Sequence, residues 1–356
     1  MRKFLLYGLT LGMLISCKKE NDPVTPDVPK TSYSFENIDI SGQQARILML
    51  NELSAYAKSA NTQGVTVSAQ QLRDMFANNG YNWQHSDLQG VTKDLRSKTY
   101  QNAVSPLEAW MDTLQLISSS TQTGGPGVSG RITSQDGTKT YLFTSKGFEP
   151  AQVIEKGLMG ACFYYQATTV YLGDDKMNVD NSTVIVNEGT AMQHHWDEAF
   201  GYLGVPVGYP DVQGDLYFWG KYKSKASLIG ADVELVKALI EGREAINEKD
   251  YSTRDQARER VRSQWELVCV SSALHYLNEV KANLSDDALR NHMLSEAYAF
   301  VFSLQFNIER NISNADWQTV MDAFGDDLYQ MNLSDIDQAI DVLANAYGLE
   351  NEKNQF

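Results

Sequence analysis

His194 and His195 stand side by side in the run Gln193-His194-His195-Trp196-Asp197-Glu198, with carboxylates one helical turn further on. A helix turns once in 3.6 residues, so Glu198 shares a face with His195 or with His194. An imidazole and a carboxylate one turn apart make half of a site for a divalent transition metal, iron and zinc being the natural candidates. Two more pairs have this composition, His275 with Glu279 and His292 with Glu296, each at i and i+4. Their segments fall on successive predicted helices, which in a bundle pack antiparallel. Two facing pairs would supply a set of two nitrogens and two oxygens, and the metal candidates are His195, Glu198, His292 and Glu296. The competing reading is structural, because such pairs are common on acidic helices. His275, beside Ala273, Leu274 and Leu277, reads as a core or surface residue, and His85, in Tyr81-Asn82-Trp83-Gln84-His85, as packing.

A second candidate surface is aromatic. Tyr209, Tyr217, Phe218, Trp219 and Tyr222, with Asp211 and Asp215 among them, suit stacking on a sugar or a peptide, against a packed loop as the alternative. Trp219 and Tyr222, together with His194 and Asp197, are the ligand-binding candidates.

Helical periodicity supplies the elements that must position these residues. Apolar residues recur at helical spacing over residues 41–60, 68–78, 94–118, 149–172, 183–203, 231–247, 252–283, 285–310, 314–330 and 334–347. Pro106 predicts a break in the third, and Pro150 a first-turn proline in the fourth. Asn314 and Ser334 are candidate N-caps, and Gly348 a helix stop. Asp136-Gly137 between β-favouring runs predicts a hairpin. The expected fold is all-α: a helical bundle, read as two packed bundles over residues 35–182 and 183–356, with one small β-hairpin inserted in the first.

The N-terminus gives an address. Arg2 and Lys3 precede an apolar stretch over residues 4–15 that ends in Leu14-Ile15-Ser16-Cys17. This resembles a bacterial lipoprotein signal, with residues 1–16 removed and Cys17 acylated as the first mature residue. The implied partner is a lipid bilayer. Charged residues 18–22 look like segments that route lipoproteins to the outer membrane surface. Pro23, Pro26 and Pro29 then mark a semi-stiff tether, and residues 17–34 read as lipidated terminus and leash. The chain carries a formal net charge of −15, and loss of Arg2 and Lys3 makes it more negative by two. Acidity without a basic cluster excludes nucleic acid as a natural partner. Cys162 and Cys269, both in apolar helical contexts, could be bridged or free.

Several segments carry a family resemblance. The stretch over residues 194–204, Phe218-Trp219-Gly220-Lys221-Tyr222, residues 273–279 and His292-Met293-Leu294-Ser295-Glu296 resemble a family of bacterial envelope lipoproteins with a domain of unknown function. That family is distantly similar to imelysin-like proteins, which implies an envelope-anchored helical body and a part in iron acquisition. Imelysin-like proteins carry Gly-x-His-x-x-Glu; His195 and Glu198 fit its second part, while Gln193 stands in place of the glycine. The resemblance implies an outer-membrane lipoprotein that binds iron, zinc or a metal-containing ligand, with iron uptake as its setting. A sugar- or peptide-binding surface lipoprotein is the alternative. A metallopeptidase-like hydrolase is a further one, although no His-Glu-x-x-His run is present to give two ligands and a base from one turn.

Overall fold

Apolar residues at helical spacing fold into twelve α-helices, and the computed structural model describes residues 30–356. The expected signal peptide, Cys17 and most of the expected tether lie outside the described residues. The helices are α1 (Ser41–Ser59), α2 (Ala69–Ala77), α3 (Gln101–Ser118), α4 (Pro150–Leu158), α5 (Asp174–Met177) and α6 (Ala191–Gly201). They continue with α7 (Trp219–Tyr222), α8 (Ala231–Glu248), α9 (Tyr251–Ala282), α10 (Asp287–Ser303), α11 (Asn314–Phe324) and α12 (Leu333–Tyr347). One antiparallel hairpin, β1 (Gly130–Thr133) and β2 (Thr140–Phe143), is the only sheet among the described residues. The all-α class with a single hairpin insertion is therefore the observed one.

The longest element, α9, has 32 residues and spans about 48 Å at 1.5 Å per residue. It packs against α8 on one side and α10 on the other, and α10 also packs on α4. Contacts between α4 and α10 join the two predicted halves, and one contiguous apolar core runs through both. No described helix is long and apolar enough to cross a membrane.

Local chemistry explains where boundaries differ from the sequence pattern. The helix expected from residue 183 starts at Ala191, because Val184, Ile185 and Val186 are β-branched and solvent-exposed, and Gly189 adopts φ 78°. Pro106 does not break α3. As the sixth residue of α3 it lies past the free first turn, so the helix absorbs the loss of one N–H bond there. The caps of the last two long helices are Ser313, one residue before Asn314, and Asn332, two before Ser334. Tyr33 belongs to the body: its ring stacks on Phe200 at 3.6 Å and its hydroxyl donates to Asp197 at 2.5 Å. Cys162 and Cys269 are both buried and free.

The segment after α4 departs most from expectation. It continues as π-helical turns over Met159–Tyr164 and Gln166–Tyr171, a rare geometry that strands backbone carbonyls. Donors from elsewhere satisfy them. Trp219 Nε1 donates to Met159 O at 2.9 Å, the Tyr100 amide to Ala161 O at 2.7 Å, and Arg262 Nε to Thr168 O at 3.0 Å. Gly160 lets α10 approach this segment, since a Cβ there would lie 2.0 Å from Ser303 Oγ.

Small residues likewise set the α6–α8 contact. Trp196 is fully buried, donates to Leu239 O at 2.9 Å, and lies over Gly242, where an added Cβ would fall 2.0 Å from Cζ2. Gly242→Ala gains up to about 1 kcal/mol of helix propensity but overpacks a rigid indole, at about 1–3 kcal/mol. Urea unfolding should therefore show net destabilisation at unchanged m-value; an equal or higher midpoint would mean that the contact yields.

Candidate functional site

Three elements converge on the Glu198 carboxylate. Thr190 caps α6 through a capping box, accepting the Gln193 amide at 3.2 Å while Gln193 Oε1 accepts the Thr190 amide at 2.8 Å. Gln193 Nε2 also donates to Asn247 Oδ1 at 2.7 Å. The residue at the motif's glycine position is thus a helix cap that ties α6 to α8. One turn on, His195 Nδ1 lies 3.0 Å from Glu198 Oε2, and His194 Nε2 lies 3.8 Å from the same oxygen. Gln43 of α1 donates to Glu198 Oε1 at 3.0 Å. Tyr171, at the end of the second π segment, hydrogen-bonds the carboxylate and accepts from Lys98 Nζ at 3.2 Å.

Electrostatics keep the Glu198 carboxylate ionised. Burial alone would raise the Glu198 pKa, but hydrogen bonds from His195, Tyr171 and Gln43 and the nearby His194 hold it below the usual range. An ionised carboxylate only accepts, so His195 Nδ1 is the donor, and a neutral ring then carries its lone pair on Nε2. That nitrogen makes no hydrogen bond to the described residues, and it is not fully buried. The side chains of His195 and Glu198 are 17% and 15% exposed, so the site is recessed without being sealed. Burial and neighbouring Arg46 lower the Lys98 pKa, and burial raises that of Tyr171. The arrangement presents one oriented imidazole nitrogen beside an ammonium and a phenol. It can donate a lone pair to a metal or accept a proton.

His292 and Glu296 form a separate site. Helix α6 packs against α1, α8 and the second π segment, whereas α10 packs against α4 and α9. His292 Nδ1 lies 2.6 Å from Glu149 Oε2 and its Nε2 lies 3.4 Å from Glu296 Oε1. Both ring nitrogens therefore face carboxylates, which suits an imidazolium and leaves no lone pair for a metal. Lys156 Nζ sits 3.5 Å from Glu296 and 2.5 Å from Glu155, whose other oxygen meets Lys58 at 2.5 Å. An internal ammonium takes the place where a cation would be needed. The Tyr141 ring of β2 stacks on His292 at 4.1 Å, so the hairpin closes over the cluster. The four metal candidates thus divide into two unconnected pairs, and among the described residues no group of three or more His, Cys, Asp or Glu could hold an ion.

The ligand-binding candidates also divide. Trp219 is fully buried and serves the π segment. Tyr222 donates to Glu296 Oε2 at 3.1 Å, within the second cluster. Asp197 is sealed in the core, its Oδ1 accepting from Arg243 Nε at 2.8 Å as well as from Tyr33. Only His194 stays at the recessed site. Tyr171, Gln43 and Lys98 escaped sequence reading because three separate elements deliver them; the π segment that brings Tyr171 round has no pattern distinct from an α-helix.

The second cluster makes a pH prediction. Burial would lower the His292 pKa, but Glu149 and then Glu296 outweigh it and raise the value. A group raised on folding stabilises fully below its unfolded pKa of about 6.5 and loses that contribution as pH rises through the folded value. Wild-type stability should fall on the alkaline side of about pH 6.5, and His292→Ala should flatten that fall. At pH 6 the substitution leaves buried Glu149 without its cation, at about 3 kcal/mol or more. Parallel pH–stability curves would show that the ring does not titrate there.

No curated protein and no solved structure matches this chain. The family model described as Domain of unknown function (DUF4856) matches residues 30–350, nearly all of the described body and both histidine clusters. The chain belongs to the DUF4856 family.

Proposed function

We propose that the protein is a lipid-anchored envelope protein whose body binds a transition metal, iron or zinc, at His195, with iron uptake as its setting. The observation that carries this reading is the His195–Glu198 pair: a carboxylate beside Nδ1 holds its proton and leaves Nε2 as an unpaired lone-pair donor that is not fully buried. Metal-binding histidines nearly always donate their second ring nitrogen in this way. Glu198 is then the residue that orients the ligand, with His194 beside it. One protein nitrogen holds a bare ion weakly, so the geometry favours a metal whose other positions are filled by a small chelating ligand. Lys98, which spends one proton on Tyr171, has others to donate to an anionic chelator.

The His-x-x-Glu likeness to imelysin-like proteins supports the iron setting, and the lipobox ending in Cys17 supports the anchor. Outer-membrane placement belongs to the same proposal and draws on charged residues 18–22.

Calorimetry on the full chain with Zn(II), Fe(II) and iron citrate tests the site. His195→Ala should abolish binding and Glu198→Gln should weaken it by about 10–100-fold, while His292→Ala leaves affinity unchanged. Undiminished binding in His195→Ala would refute the assignment. Cys17→Ala should move the protein from the membrane to the soluble envelope fraction; full membrane retention would count against acylation.

A further inference from the structure

The turn that leads into α6 exposes three β-branched apolar residues in a row, where turns are ordinarily polar. Val184, Ile185 and Val186 are 59%, 53% and 77% exposed. Hydrogen bonds hold them out. The Ile185 amide donates to Gly189 O at 2.8 Å and the Gly189 amide to Ile185 O at 2.9 Å, while the Ser182 and Thr183 amides donate to the Asp180 carboxylate at 3.0 Å. Capping of α6 needs none of the three, because Thr190 and Gln193 supply it. A contiguous exposed apolar patch of this kind marks a surface that meets a partner.

Its position names the partner. The Asn187 amide of the turn donates to Asn37 Oδ1 at 3.0 Å. The loop over residues 204–215 is tied to Tyr33, whose amide donates to Tyr209 O at 2.9 Å and whose carbonyl accepts from the Gly208 amide at 2.8 Å. That loop exposes Val207 and Val212, at 37% and 49%. Tyr33 and Asn37 are four residues apart in the chain, at most about 14 Å, so both apolar loops flank the segment by which the chain enters the body. Residues 18–29, twelve in all, separate Cys17 from Lys30, a span of at most about 43 Å in any conformation. A compact body of this size is about 50 Å across. With Cys17 in a bilayer, an entry point turned away from the lipid would lie beyond that span.

We infer that this end of the body rests on the bilayer, with Val184, Ile185 and Val186 dipping into a zwitterionic lipid surface. The inference rests on the lipid anchor of the proposed function and not on the metal. The net charge of −15 and the carboxylates of Glu188 and Asp211 beside the loops disfavour an anionic surface. Three aliphatic side chains bind a membrane weakly by themselves, since affinity scales with buried apolar area. Anchoring through Cys17 makes the contact intramolecular, at an effective concentration on the order of a millimolar, which keeps a weak contact closed. The tip then fixes which face of the body lies toward the lipid.

Tryptophan quenching by brominated lipid tests it. The processed chain, residues 17–356, is coupled through Cys17 to a maleimide lipid in phosphatidylcholine vesicles, Cys162 and Cys269 being buried. Brominated acyl chains should remove at least half of the emission that Val186→Trp adds over wild type. They should remove less than a tenth of that added by Leu116→Trp, a residue 76% exposed on α3, which packs on α2, α4 and β2. Adding Val184→Asp and Ile185→Asp to Val186→Trp should bring its quenching down to the Leu116→Trp level. Equal quenching at the two positions, or quenching that survives the aspartates, would overturn the inference. Self-association without vesicles, abolished by the same aspartates, would overturn it too, assigning the patch to a second copy. Because the coupling is chemical, the outcome does not depend on acylation in the cell, which the Cys17→Ala fractionation tests separately.

Discussion

A carboxylate kept ionised inside the body is the constraint on which the site depends. Glu198 must be surrounded by donors, because a half-buried carboxylate without them would be costly. Its donors come from α1, α6 and a π segment, with Lys98 behind Tyr171, so the site exists only when these elements are packed together. The capping box at Thr190 and the Trp196–Gly242 contact fix α6; the stranded carbonyls of the π turns are fixed by Trp219, Tyr100 and Arg262. Much of the scaffold can be read as what holds one imidazole in one tautomer.

The two histidine sites use the same residue types with opposite results. At His195 one ring nitrogen meets a carboxylate and the other is open. At His292 both meet carboxylates, and Lys156 supplies the central cation. The second arrangement is electrically closed: Lys58, Lys156 and a charged His292 offset Glu149, Glu155 and Glu296. Glu155 is driven down to about 2 because Lys156 and Lys58 overcome its burial. Such a cluster rigidifies the α4–α10 contact and docks the hairpin through Tyr141. It offers no ligand a free donor.

Periodicity was enough to identify the fold class, most helices and the hairpin, because amphipathic spacing and Asp136-Gly137 are local signals. The His195–Glu198 pair was legible for the same reason, both residues lying on one turn. Its pairing with His292 was not. Helix–helix adjacency depends on which faces pack, and Gly160 and Gly242 decide that through contacts invisible in the chain. Trp219 and Asp197 misled because a buried aromatic serving a carbonyl and a buried carboxylate serving Arg243 look, in sequence, like residues waiting for a ligand. The prolines before Tyr33 point to a leash, yet its ring stacks on Phe200 in the core.

The central claim is the protonation state of one ring. Long-range proton–nitrogen NMR of the imidazoles at pH 7, assigned by comparison with His195→Gln, reads it directly. The account predicts that the His195 tautomer carries its proton on Nδ1, with an Nε2 resonance that moves when Zn(II) is added. A ring protonated on Nε2, or an Nε2 signal indifferent to metal, would contradict it.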